Sequence, residues 1–356
     1  MTILYDFIEV AGGAEKVSVE LANSLKCPLV VSGINNQAID LLPKVENEII
    51  ALGNLTALPV WKSIKSIKLF EQINPDYLTA DKVLFSGSNA PIAVQHSCAA
   101  KNFYYCHTPP RFAYDLFDYY QNTLPSWQAL IIKKLAQTVK RKYEPAIQQM
   151  DHVYANSYNV KNRLKKYLNV ESTVIYPPVD ISRYFNSSNN GYYLSTARLE
   201  EYKRVELIVD AFKEMPDKEL VMISGGSLLK KLQESAKDYS NISIVGWTEQ
   251  TKLYQYIAEC IATIYIPVDE DFGMSPVESM AAGKPVIGVS EGGVKETVVD
   301  SVTGILIPPS PKKEDLINAV IKLDQNAANK MKSACVERAN QFKPRHFFDK
   351  FRDIML

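Results

Sequence analysis

Ile261-Ala-Thr-Ile-Tyr-Ile-Pro-Val-Asp-Glu270-Asp-Phe-Gly-Met-Ser275-Pro-Val-Glu278-Ser-Met-Ala-Ala-Gly283-Lys-Pro285-Val-Ile-Gly-Val289 reads as strand, loop, helix and strand in succession. The apolar, β-branched run over 261–268 has the pattern of a buried strand. Ser275 then suits a helix N-cap, Pro276 the first helical position, and Glu278 the capping-box place three residues after the cap. Gly283 stops the helix and Pro285 opens the second strand. Such a βαβ unit belongs to a parallel sheet, and these sheets hold ligands beyond the carboxyl ends of their strands. Glu270 and Glu278 both fall there. Either they serve a polar ligand, or Glu278 only caps the helix and Glu270 is a solvated loop acid.

Strands alternate with helical stretches along nearly the whole chain, so the fold class is α/β. A length of 356 residues exceeds one core of ordinary size and predicts two domains of roughly 150 residues each. Tyr176-Pro-Pro-Val-Asp180 divides them, because two prolines continue neither a helix nor a strand ladder. The expected domains are 1–178 and 179–341, followed by an amphipathic stretch over 342–356. Basic and acidic residues balance at 40 each, which argues against a strongly basic nucleic-acid binder. Cys27, Cys98, Cys106, Cys260 and Cys335 show no Cys-x-x-Cys spacing, which argues against a zinc site or a disulfide framework and predicts a reducing, cytoplasmic setting. No apolar run reaches ~18 residues and the start lacks a basic leader region, so no membrane span is expected.

Two further clusters carry chemistry. Gly12-Gly13-Ala-Glu15 links a first strand to a helix, where glycines let the backbone approach a ligand and the helix N-terminus offers N–H groups to a phosphate. The alternative is a tight turn with glycines for geometry only. Arg198 closes the strand 192–197, and Lys203 follows five residues later. Together they form either a clamp for a diphosphate or two ordinary surface cations. His107, between Cys106 and Thr108, is either functional or a buried, hydrogen-bonded side chain.

Gly12-Gly-Ala-Glu15, Arg198 with Lys203, Val245-Gly246-Trp247, the stretch 270–278, Gly292-Gly-Val-Lys-Glu-Thr-Val298 and Thr303-Gly-Ile-Leu-Ile-Pro308 occur in the order seen in retaining glycosyltransferases of family 4. The chain resembles that family over most of its length. Tyr105-Cys-His107-Thr-Pro-Pro-Arg111 looks like the subgroup of bacterial O-antigen mannosyltransferases. The resemblance implies the GT-B fold, two Rossmann-like domains with parallel sheets facing an interdomain cleft, and a last helix, 342–356, that returns to the first domain. It implies a metal-independent, retaining transferase with no cofactor beyond its nucleotide-diphosphate sugar. The His107 segment inclines the donor towards GDP-mannose, and the expected acceptor is a lipid-linked glycan or polysaccharide. A UDP-sugar-dependent hexosyl or N-acetylhexosaminyl transferase, a GT-B nucleotide-sugar epimerase and a non-catalytic carbohydrate-binding relative are the alternatives.

By the same resemblance, Glu278 holds the donor ribose and Glu270 the transferred sugar. The amides of Phe272, Gly273, Met274 and Ser275 lie along sugar and diphosphate. Arg198 and Lys203 neutralise the diphosphate, the backbone near Trp247 flanks the base, Gly12 and Gly13 bring first-domain amides to the diphosphate, and His107 touches the sugar. Where many members have Gly before the Arg and after the Lys, this chain has Ala197 and Arg204.

Two stretches mix aromatic, aliphatic and basic residues: 61–70, with Trp61, and 124–142, with Trp127, Leu130, Ile131 and Leu135 beside Lys133, Lys134, Lys140, Arg141 and Lys142. Each either lies on the anionic cytoplasmic face of a membrane or packs its apolar residues inward with a solvated basic back.

Overall fold

A computed structural model describes residues 1–356 except 10, 11, 41, 55 and 57. The chain forms two compact units, Met1–Pro177 with Phe347–Leu356, and Pro178–His346.

In the first unit, seven parallel strands form one sheet: β1 (Thr2–Tyr5), β2 (Leu29–Val31), β3 (Ile49–Ala51), β4 (Lys82–Ser86), β5 (Lys101–Cys106), β6 (His152–Ala155) and β7 (Thr173–Val174). Their order is β3-β2-β1-β4-β5-β6-β7. Successive side chains of a strand point to opposite faces, so Ile3 and Tyr5 enter one core cluster while Leu4 enters another on the far side. The terminal helix Pro344–Met355 buries Phe347, Phe351 and Met355 in the cluster that holds Ile3 and Tyr105. Phe347 and Phe351 each meet the Tyr105 ring edge-on at 5.4 Å.

The second unit has six parallel strands: β8 (Tyr192–Ser195), β9 (Glu219–Ile223), β10 (Ile242–Gly246), β11 (Thr263–Tyr265), β12 (Val286–Val289) and β13 (Gly304–Ile307). Their order is β10-β9-β8-β11-β12-β13. In both sheets the chain reverses its direction of travel, between β1 and β4 and between β8 and β11. A ligand crevice opens beyond the strand ends at such a switch point.

The helix after β11 differs from its expected start. It runs Met274–Ala281, its N-cap is Gly273 at φ 88°, and no side chain caps it. The left-handed cap suits a glycine, whereas Ser275 and Pro276 already lie inside the helix. Glu278 is therefore in the second turn, and the expected capping box does not form.

Candidate functional site

The segments after β8 and β11, which flank the switch point of the second sheet, meet at Lys203 and Glu270. Lys203 lies in the turn Glu201–Lys203. Its Nζ donates to Glu270 Oε2 at 2.5 Å and to the Tyr265 hydroxyl at 3.2 Å, and Tyr265 donates in turn to Glu270 Oε1 at 2.9 Å. Tyr265 closes β11, so the strand itself aims the hydroxyl at both partners. Burial, then the Glu270 charge, pushes the Tyr265 phenol well up, and it stays a neutral donor. Glu278 also acts on Tyr265 through its charge, which places the two glutamates around one phenol. Tyr184 hydrogen-bonds to Glu278, and its phenol is raised by burial first and by that carboxylate second.

Arg204 holds this geometry. It sits at φ 52°, the left-handed region that favours glycine, which gives a physical reason for the glycine many relatives of the resembled family carry there. Here the guanidinium extends Nη1 to the carbonyls of Ile266 and Pro267, 3.1 Å each, and to Glu291 Oε1 at 2.6 Å. Glu291 Oε1 in turn accepts the Asp269 amide at 3.3 Å. The loop after β8 is thus pinned to the loop that carries Glu270.

Gly292 and Gly293 support that loop from behind. The Gly293 amide donates to the Glu270 carbonyl at 2.7 Å. A Cβ on Gly293 would stand 2.4 Å from Phe272 Cα, and one on Gly292, at φ 58°, 2.5 Å from the Glu270 nitrogen. Phe272 itself is buried and meets Phe342 edge-on at 5.4 Å, so its side chain anchors the loop and only its backbone faces the site. After the Gly273 cap, the amides of Met274 and Ser275 have no intrahelical partner.

Arg198 is exposed and forms no ion pair among the described residues. Trp247 is 74% exposed at the end of β10. Its indole Nε1 lies 1.9 Å from where a Cβ on Gly225 would stand, so glycine at 225 is what lets the ring lie over the end of β9. Asp269 and Asp271 flank Glu270 with an Asp-x-Asp spacing that the sequence reading passed over; no group of three or more His, Cys, Asp or Glu side chains is placed to hold a metal ion among the described residues.

The first unit presents the other expected residues by itself. Gly12 is the N-cap of the helix Gly13–Leu25, with extended backbone and no side-chain cap. Glu15 in its first turn hydrogen-bonds to Tyr5, and burial raises its carboxyl. Asp6, just past β1, accepts the amides of Ser88, Asn89 and Ala90 at 2.6–2.8 Å. Burial pushes its carboxyl up while those amides oppose the shift. His107 follows β5, edge-on to Tyr105 at 5.0 Å and Tyr5 at 6.4 Å. Its Nε2 is buried without a hydrogen-bond partner among the described residues, and burial lowers the imidazole to about 4. A neutral ring with an unsatisfied nitrogen is the state suited to meeting a ligand.

Sequence reasoning gave no role to Tyr265, Tyr184, Arg204 or Glu291. Of these only Arg204 carried a signal, as the residue standing where the resembled family has glycine.

A family model described as "Glycosyl transferases group 1" matches residues 180–342. The chain is 33% identical over 166 residues to alpha-1,3/1,6-mannosyltransferase ALG2 of Dictyostelium discoideum, covering 40% of this chain and 39% of that protein. It is 24% identical over 219 residues to the O-antigen chain mannosyltransferase RfbU of Salmonella typhimurium, covering 59% and 60%. The matched stretches span between 34% and 64% of the length of these and the other curated relatives. Among solved structures, Anabaena HepE in complex with UDP and glucose superposes with a TM-score of 0.73 at 18% identity, covering 99% of this chain and 98% of that one.

Proposed function

We propose, from the match of residues 180–342 to the glycosyl transferases of group 1, that this chain transfers a hexose, with retention, from a nucleotide-diphosphate sugar to a lipid-linked glycan or polysaccharide. The donor we assign is GDP-mannose, supported by the ALG2 and RfbU mannosyltransferases among its relatives and by the His107 segment. The observation that carries the reading is the arrangement at the second switch point, an exposed Arg198 after β8 with no ion pair among the described residues and a Lys203–Glu270 pair joining the segments after β8 and β11. Breaking the bond from the anomeric carbon builds negative charge on the departing phosphate and oxocarbenium character in the sugar. Arg198, Lys203 and the amides of the 272–275 turn answer the first, without calling on a metal ion or a further cofactor. Glu270 turns to the sugar, Glu278 to the ribose, and Trp247 flanks the base.

No helix among the described residues is long and apolar enough to cross a membrane. No disulfide joins any of the five cysteines among the described residues, and we assign catalysis to a reducing compartment. We place it on the cytoplasmic face of a membrane.

Thermal-shift titration with GDP, UDP and dTDP, followed by transfer from radiolabelled GDP-mannose in EDTA, tests the assignment. GDP is expected to stabilise most, and Arg198→Ala to weaken GDP by about tenfold or more while sparing guanosine. Stabilisation by none of the three would sink the donor site. Preference for UDP would retain the transferase and replace its sugar.

A further inference from the structure

Two helices of the first unit turn a second apolar face away from its core. Pro59–Glu71 buries Ile67 and Phe70, yet leaves Trp61 and Ile64 61% and 39% exposed. Ser126–Gln148 buries Leu135, Val139 and Tyr143, yet leaves Trp127 and Ile131 64% and 40% exposed. Both helices rest on the turn Ala90–His96, and an ion pair between Lys142 and Glu71 ties them together. Trp61, Ile64, Trp127 and Ile131 line one groove of about 800 Å³ between the helices, with Lys134 also in its wall. That volume is of the size that encloses a small ligand.

The charge around the groove selects the occupant. In a chain of zero net charge, these two helices carry eight lysines and arginines against two glutamates. Both glutamates are engaged, Glu71 by Lys142 and Glu144 by the Tyr114 hydroxyl. Lys134 is exposed and forms no ion pair among the described residues. A sugar, nucleotide or peptide would find few hydrogen-bonding groups in walls of Trp, Leu and Ile, and its polar atoms would go unpaired. A hydrocarbon chain needs none, and the lysine at its edge calls for an anionic head.

We propose that this groove takes the hydrocarbon chain of the acceptor lipid and that Lys134 meets the phosphate at its head. The inference rests on the lipid-linked acceptor proposed above for the chain's identity, and on the groove alone for its chemistry. It gives the two amphipathic stretches one shared task that neither shows by itself.

The chain has three tryptophans, so in a Trp247→Phe protein the two remaining indoles both line the groove. Titration of that protein with dodecyl phosphate below its micelle concentration is expected to give a saturable blue shift, and inorganic phosphate none. Lys134→Glu should weaken dodecyl phosphate roughly tenfold and leave dodecyl maltoside unchanged. Ile64→Ser with Ile131→Ser, both at exposed positions, should abolish the response to either amphiphile at an unchanged melting temperature. The proposal is overturned by an absent shift, by equal loss of both amphiphiles on Lys134→Glu, or by binding confined to anionic vesicles, which would mark a bilayer-adsorbing face. GDP titrations of the protein with Trp247 intact separate the two readings. Nucleotide stabilisation without a dodecyl phosphate response removes the groove and leaves the transferase, and the converse leaves a lipid site without the transfer.

Discussion

Glu270→Gln removes one negative charge and almost no volume from the side chain that Lys203 meets at 2.5 Å and Tyr265 at 2.9 Å. In the free protein Lys203 is 12% and Glu270 18% exposed, so the pair lies above the range of surface ion pairs. A hydrogen bond between charged groups in such a place contributes roughly 1.5–3 kcal/mol. A glutamine keeps the Tyr265 bond and offers Lys203 a neutral amide oxygen, so about 1 kcal/mol of folded-state stability is expected to go. A diphosphate that takes Lys203 must first loosen it from Glu270, whereas in the variant that separation is already made. The same ~1 kcal/mol should return as GDP binding about fivefold tighter. GDP-mannose, whose sugar has Glu270 as its proposed partner, should gain less or lose affinity, and transfer should fall. Isothermal titration of GDP and GDP-mannose into the native, Glu270→Gln, Lys203→Ala and double-variant proteins measures the coupling directly. In the Lys203→Ala background the gain should vanish. A Glu270→Gln protein that binds GDP with native or weaker affinity refutes the competition between carboxylate and diphosphate for Lys203.

Burial holds the His107 imidazole at about 4, below its unfolded value near 6.5, so the unfolded chain binds a proton that the folded one refuses. Stability should therefore fall as pH drops through that window, by about 2 kcal/mol between pH 7.5 and 5; urea melts of the His107→Leu protein should lack this slope. Gly293→Ala drives a methyl group against Phe272 Cα, and about 1–3 kcal/mol of stability should be lost together with GDP affinity; a native response in calorimetry would show that the loop yields freely. Phe351→Ala empties a fully buried place beside Tyr105, Tyr154 and Phe347 and should cost about 3–5 kcal/mol in the first unit. Hydrogen exchange should then rise in β1 and β5 and leave β8 and β11 unchanged.

The local pattern of the chain carried much of this. Period-2 and period-3.6 stretches, Gly283 after a helix and Pro285 before a strand are decided within a few residues, and they gave the α/β class and the strand–loop–helix–strand unit. Motif order likewise brought Arg198, Lys203, Glu270 and Glu278 into one list of candidates. The helix start was misread because Ser275-Pro276 has good capping chemistry, while the turn is set by Gly273 at φ 88° and by the Gly292–Gly293 backbone pressed against the preceding loop. That contact joins residues some 20 positions apart, and no local propensity reports it.

The sequence by itself therefore determined which elements form and which residue types stand at strand ends, because backbone preference and side-chain period act over short spans. Only the tertiary structure decided that Lys203 and Glu270 neutralise each other across Tyr265, and that Arg204 bridges their two loops. It also decided that Leu135 is core while Trp61 and Trp127 share a groove. Those outcomes depend on strand order and helix packing, which set distances between residues far apart in the chain.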